Sequence, residues 1–122
     1  MPSADRVLPA DVHRVPKGWG EELWIHNDHR YCGKLLILKK GRRCSLHCHR
    51  IKHETFFVQT GRVRMELVHA DGTAEEFEMG PGESLEVPQG LQHRFTGLED
   101  SEILEFSTQH FESDSYRIEK GD

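Results

Sequence analysis

The 122-residue sequence contains no apolar run near the ~20 residues that a bilayer-spanning helix needs, so no membrane partner is expected. It also lacks a basic excess. Sixteen Lys and Arg stand against 21 Asp and Glu, and a net charge of -5 argues against a nucleic-acid partner. Cysteine is scarce and odd in number. Cys32, Cys44 and Cys48 lack zinc-knuckle spacing, which points to free thiols in a reducing compartment. The opening residues show no basic-then-apolar pattern, so a cytoplasmic location is expected. No window carries a sustained 3.6-residue apolar stripe, and there is no internal repeat, low-complexity stretch or linker. One domain over residues 1–122 is expected. A chain of this length buries roughly two-thirds of its unfolded surface, enough for a core without disulfides.

What is present is short strand signal after short strand signal. Val63, Met65 and Leu67 alternate with Arg62, Arg64 and Glu66, the period of a half-buried strand. Asp71-Gly72 marks a hairpin turn, and Glu75–Met79 reads as the returning strand. Further strands are expected over Glu21–Ile25, Lys34–Leu38, Ser45–His49, Thr55–Gln59, Leu85–Val87, His93–Thr96 and Glu102–Ser107. Strands at this spacing, divided by turn residues, indicate an all-β sandwich or closed barrel. Residues 1–25, with Pro2, Pro9 and Pro16, read as an extended N-terminal arm.

Histidine is abundant, nine in all, and three of the nine form a pattern with a carboxylate. His47 and His49 are two apart, so on a strand their rings share a face. Glu54 begins an apolar run in which a buried carboxylate needs a partner, and His93 follows the Pro88–Gly90 turn. Nitrogen and oxygen donors of this kind suit one divalent first-row metal, whether Mn, Fe, Co, Ni or Zn. Converging at one depth, these ligands are expected to come from adjacent strands of a barrel. His53 competes with Glu54 but falls on the opposite face of a regular strand, which makes it a neighbour of the site rather than a ligand.

The wider spacing resembles a known family. Gly41, five residues, His47, one, His49, four, Glu54, six, Gly61 resembles the first motif of the cupin superfamily. Gly82, five residues, Pro88, one, Gly90, two, His93 resembles the second, with Gly97 where the family usually has Asn. The resemblance spans residues 33–107. It implies a double-stranded β-helix, or jelly-roll, cupin barrel in which His47, His49, Glu54 and His93 bind one metal. It also implies glycines at positive φ and a strand ending at Pro88. Gly97 is expected to affect turn geometry only.

A second layer is similar to the C-terminal domain of type II phosphomannose isomerases. It rests on Lys17-Gly18-Trp19-Gly20, on Cys44-Ser45-Leu46-His47-Cys48-His49, and on Glu102–Thr108 followed by Asp114–Arg117. The sequence departs from that group at Gly18 and His47. The likeness implies a small carbohydrate substrate and an aldose–ketose isomerisation through a metal-stabilised enediolate. Such chemistry needs a base. Glu105, His53 and Glu86 are the candidates, with Lys34 available to orient a substrate oxygen. The competing reading for Glu105 is a solvent-facing residue. Arg94, Arg62, Arg64, Tyr31 and Trp19 are weaker candidates. An Fe(II)-dependent dioxygenase and a non-catalytic sugar-binding or sensor module are the alternatives. A homodimer is expected, with the arm as a segment for exchange between copies.

Overall fold

A computed structural model describes residues 5–122; the first four residues of the expected arm lie outside the described residues. Eleven strands form two antiparallel sheets, with no α-helix among the described residues. The first sheet holds β1 (His13–Lys17), β2 (Gly20–Asn27), β3 (Cys32–Leu38), β10 (Ser101–Ser107), β5 (Glu54–Thr60) and β8 (Ser84–Val87), in the order β1-β2-β3-β10-β5-β8. The second runs β11 (Tyr116–Glu119), β4 (Leu46–Cys48), β9 (Gln92–Gly97), β6 (Val63–Val68) and β7 (Ala74–Met79). This is the jelly-roll barrel that the family resemblance implies. No helix among the described residues is long and apolar enough to cross a membrane.

The alternation of the sequence sets what lies between the sheets. Along β3, Cys32, Lys34, Leu36 and Leu38 are buried while Gly33, Leu35 and Ile37 are partly exposed. Leu36, Val58, Met65, Phe95 and Ile103 pack in one cluster from both sheets. Each side chain so buried contributes about 1.5–3 kcal/mol relative to exposure. The reverse face of the first sheet is also apolar. Leu23, Leu35, Leu104 and Phe57 are side-by-side partners across four strands.

The motif glycines Gly41, Gly61, Gly82 and Gly90 all adopt positive φ. Gly61 is doubly required, since a Cβ there would also lie 2.7 Å from the Ser101 backbone. Gly97 corrects an expectation. Its role is close approach rather than turn geometry, because a Cβ would sit 2.7 Å from the Lys39 carbonyl oxygen.

Two strands went unread in the sequence. β1 lies inside the expected arm and pairs with β2 of the same chain, and β11 lies beyond the last expected strand. Both are sheet edges, and β11 is exposed at every position, so neither carries an alternating signal. Pro16 is tolerated in β1 for the same reason.

Candidate metal centre

His47 and His93 are paired residues of neighbouring strands β4 and β9, so their rings project side by side into the barrel. His49 follows at the end of β4, and potential ligand nitrogens of all three lie within 4.8 Å of one another. Glu54 reaches the same point from across the barrel, at the start of β5 in the other sheet. The set is therefore assembled from two facing sheets rather than from adjacent strands alone. Glu54 Oε2 stands 3.2 Å from His93 Nε2 and 3.6 Å from His49 Nε2.

The rings are held in one tautomer. His47 Nδ1 meets the Ser45 carbonyl at 2.8 Å, His49 Nδ1 the Asp114 carbonyl at 2.8 Å, and His93 Nδ1 the Leu91 carbonyl at 3.0 Å. A carbonyl only accepts, so each Nδ1 carries the proton and each Nε2 keeps its lone pair. His93 Nε2 and Glu54 Oε2 are buried with no hydrogen-bond partner among the described residues. Orphaned polar atoms at these depths are costly, and a cation between them removes the cost. The donor set fits a divalent metal, as three neutral imidazoles and a carboxylate suit any of the first-row ions.

Electrostatics agree with this protonation. Burial, then His93, hold the His47 imidazole down to about 3, and burial with Lys52 lowers His49. Burial pushes the Glu54 carboxyl up, but His93, Lys52 and His49 outweigh it and keep it below the usual carboxylate range. His110 is likewise held down to about 3, by burial and by Lys34 and Lys52. Against about 6.5 for a free imidazole, the unfolded chain binds more protons between those values. Stability of the metal-free protein is therefore complete above about pH 6.5 and falls as the pH drops toward 3. A thermal unfolding midpoint that declines steadily from about pH 6.5 to about pH 4 is expected; a flat profile would contradict buried neutral imidazoles.

A second polar group lines the same cavity, whose volume is 360 Å³. Trp24, Lys34, Glu105 and Phe56 are successive partners across β2, β3, β10 and β5, so they form one inward-facing row. Glu105 is 4% exposed, which overturns the solvent-facing reading. Phe106 takes the outward position instead, at 55%. Lys34 is buried, 3.3 Å from Glu22 Oε1 and 4.4 Å from the centre of the Trp24 ring. His53 is not brought into the site. Lys52 and Glu54 point inward, so His53 between them points outward, where it meets Glu86 at 3.1 Å with both side chains substantially exposed. Arg94 is buried but acts elsewhere, donating from Nε to the Cys44 carbonyl at 3.0 Å. Arg62 and Arg64 form surface pairs with Glu78 and Glu76, Tyr31 stacks on His26, and Trp19 packs against Phe95 in the core.

The residues missed in the sequence are Lys52, Glu22, His110 and Asp114. Lys52 is 3% exposed, and its ammonium contacts Glu105 Oε2 at 3.0 Å, Glu54 Oε1 at 3.4 Å and His110 Nδ1 at 3.1 Å. Burial opposes its charge, yet Glu105 and Glu54 hold its pKa raised. The alternation around Glu54 was a usable signal, since an inward Glu54 brings Lys52 inward with it. Asp114 carried no such signal. Its carboxylate accepts from the backbone N–H groups of Arg50, Ile51 and Lys52 at 2.9–3.2 Å, and its carbonyl holds His49. Asp114→Ala is expected to cost about 1–3 kcal/mol in urea unfolding, with Asp114→Asn recovering part. An unchanged midpoint would show that the 50–52 loop holds itself.

The family model described as Cupin domain matches residues 34–107. Oxalate decarboxylase from Arthroderma benhamiae is 32% identical over 91 residues, covering 71% of this chain and 21% of that protein. Among solved structures, an oxalate decarboxylase variant from Bacillus subtilis superposes with a TM-score of 0.81 at 20% identity, over 89% of this chain and 31% of the other. The capsular polysaccharide assembling protein CapF from Staphylococcus aureus gives 0.79 at 22% identity, over 98% and 37%. At these identities the structural likeness concerns the fold, and the chain spans a fifth to just over a third of the length of each of these proteins.

Proposed function

The chain belongs to the cupin family, and from that premise we propose a divalent-metal-dependent enzyme that interconverts the aldose and ketose forms of a small sugar or sugar phosphate. One observation carries the reading. His47, His49 and Glu54, with His93 buried behind Glu54 at 3.2 Å, face a cavity whose other wall holds a buried Lys52–Glu105 pair and His110. The volume, 360 Å³, lies in the lower part of the roughly 300–1,000 Å³ range of small-molecule sites. His47, His49, Glu54 and His93 would hold the ion. When bound, it supplies Lewis-acid stabilisation of negative charge developing on neighbouring substrate oxygens.

The chain's own residues supply the rest. Glu105 Oε2 is occupied by Lys52 and by the Ser107 hydroxyl, which leaves Oε1 free to act as a base. In the proposed reaction it takes the proton from the carbon beside the carbonyl and returns it to the former carbonyl carbon. A hydroxyl proton moves between the two oxygens in compensation, so no oxidant or reductant is consumed. The buried Glu54 and Glu105, together with the partly exposed Glu22 beside Lys34, outnumber the buried Lys34 and Lys52 by one charge. A divalent ion reverses that balance to one positive charge, complementary to an enediolate.

The test is proton exchange at C2 of pentoses, hexoses and their phosphates in D₂O, with Mn, Fe, Co, Ni or Zn supplied. Exchange with at least one sugar is expected, and none across the panel would sink the isomerase. The oxalate decarboxylase relative supports a second reading, loss of carbon dioxide from a small dicarboxylate, which release of CO₂ from oxalate decides. Oxygen uptake after anaerobic Fe(II) loading separates the oxygenase. We also propose a homodimer, supported by exposed Val7 and Leu8 in the arm and by the apolar row on the back of the first sheet. A dimer mass at micromolar concentration is expected, and a monomer refutes it.

A further inference from the structure

We infer that His110 contacts substrate directly, donating a hydrogen bond from Nε2 to a carbonyl or hydroxyl oxygen. The inference rests on the sugar reading and extends it to a residue that no motif contains. His110 lies in the irregular segment after β10, yet three separate restraints fix it. Asn27, at the end of β2, clamps its backbone from both sides: the amide nitrogen donates to the His110 carbonyl at 3.1 Å, and the His110 N–H donates to Asn27 Oδ1 at 2.8 Å. The edge of the Trp24 ring packs against the imidazole, 5.1 Å between centres at 73°. Lys52 Nζ stands 3.1 Å from Nδ1.

The third restraint decides the chemistry. An ammonium group has donors and no acceptor, so Nδ1 must accept and the ring proton must be on Nε2. That N–H has no protein acceptor among the described residues, although the ring lines the cavity. A donor with no protein partner, on a ring this tightly held, is pre-organised for a ligand oxygen.

The same lysine also defines the ligand class. Lys52 holds Glu105 Oε2 on one side and His110 Nδ1 on the other. The outward atoms of the pair are then one acceptor, Glu105 Oε1, and one donor, His110 Nε2. A hydroxyl beside a carbonyl, or two neighbouring hydroxyls, satisfies both. A plain carboxylate leaves Glu105 facing a like charge. The arrangement therefore selects polyhydroxylated compounds.

The test uses the metal-loaded full chain and xylitol, a polyol that cannot isomerise. Nitrogen-15 spectra of the histidine rings are expected to show His110 protonated at Nε2, with that signal shifting as xylitol is added. In calorimetry His110→Phe, which keeps the ring volume, is expected to bind xylitol about tenfold more weakly, the size of one lost hydrogen bond. His110→Gln, which keeps an N–H at similar reach, is expected to recover most of the affinity. A proton on Nδ1, xylitol binding unchanged in His110→Phe, or no xylitol binding by the wild type overturns the inference. Should His110→Phe not fold, the tautomer and the xylitol-induced shift in the wild type decide alone. Xylitol binding that depends on His110 without C2 exchange of any sugar leaves the inference standing and removes the isomerase.

Discussion

Alanine in place of His93 is expected to strip the protein of its divalent metal. His93 is 0% exposed, its Nε2 has no hydrogen-bond partner among the described residues, and its Nδ1 is committed to the Leu91 carbonyl. No neighbouring nitrogen can replace it without breaking the Nδ1 bonds that orient His47 and His49. Loss of a residue that only supports a ligand typically costs 10–100-fold in metal affinity, so loss of the ligand itself should cost more than about 100-fold. The readout has two parts. Elemental analysis should find metal in the purified wild type and little in the variant. Added metal should also raise the unfolding temperature of the wild type, since about 100 Kd of free metal stabilises by about 2.7 kcal/mol, and should leave the variant unmoved. That second comparison separates ligand loss from the cavity an alanine leaves, because the cavity lowers both temperatures and does not remove their difference. Full metal occupancy in the variant would undo the site.

The second large effect is expected on turnover. Glu105→Gln keeps the side chain's volume and removes the base. A drop of about 10²–10⁴ in kcat with KM and metal content nearly unchanged is the expected pattern, the usual worth of a positioned acid–base group. Lys52→Met gives the contrast. It leaves Glu54 and Glu105 buried without their cation, which should cost about 3–5 kcal/mol of stability and impair metal binding as well as turnover. If Glu105→Gln retained wild-type kcat, the base would have to be sought elsewhere on the cavity wall.

Much of this molecule was legible before folding was considered. The four metal-binding candidates are spaced by turn glycines whose positive φ no other residue adopts easily, so the motif and the backbone geometry are one signal. The alternation of Val63, Met65 and Leu67 assigned the faces of β6 correctly, whereas the face of Glu105 was settled only in the structure, where it lies inward with Ile103. Alternation also placed His53 opposite Glu54, and the structure carries it further out, to the surface beside Glu86.

Other parts could not be read along the chain. Asp114 orders residues 50–52 from more than sixty positions away, and Asn27 clamps His110 across eighty-three. Asp114 lies in a short 3-10 turn and Asn27 is the last residue of β2, and at neither place does a period mark the residue. The sequence by itself determined nine of the eleven strands, the turn positions and the candidate metal-binding set, because these depend on local backbone preference and on short spacings. Only the tertiary structure decided that Glu54 would face the histidines from the opposite sheet and that one buried lysine would join Glu54, Glu105 and His110. The physical reason is that a buried charge chooses its partners by proximity in three dimensions, and only the closure of two sheets around it sets which groups are near.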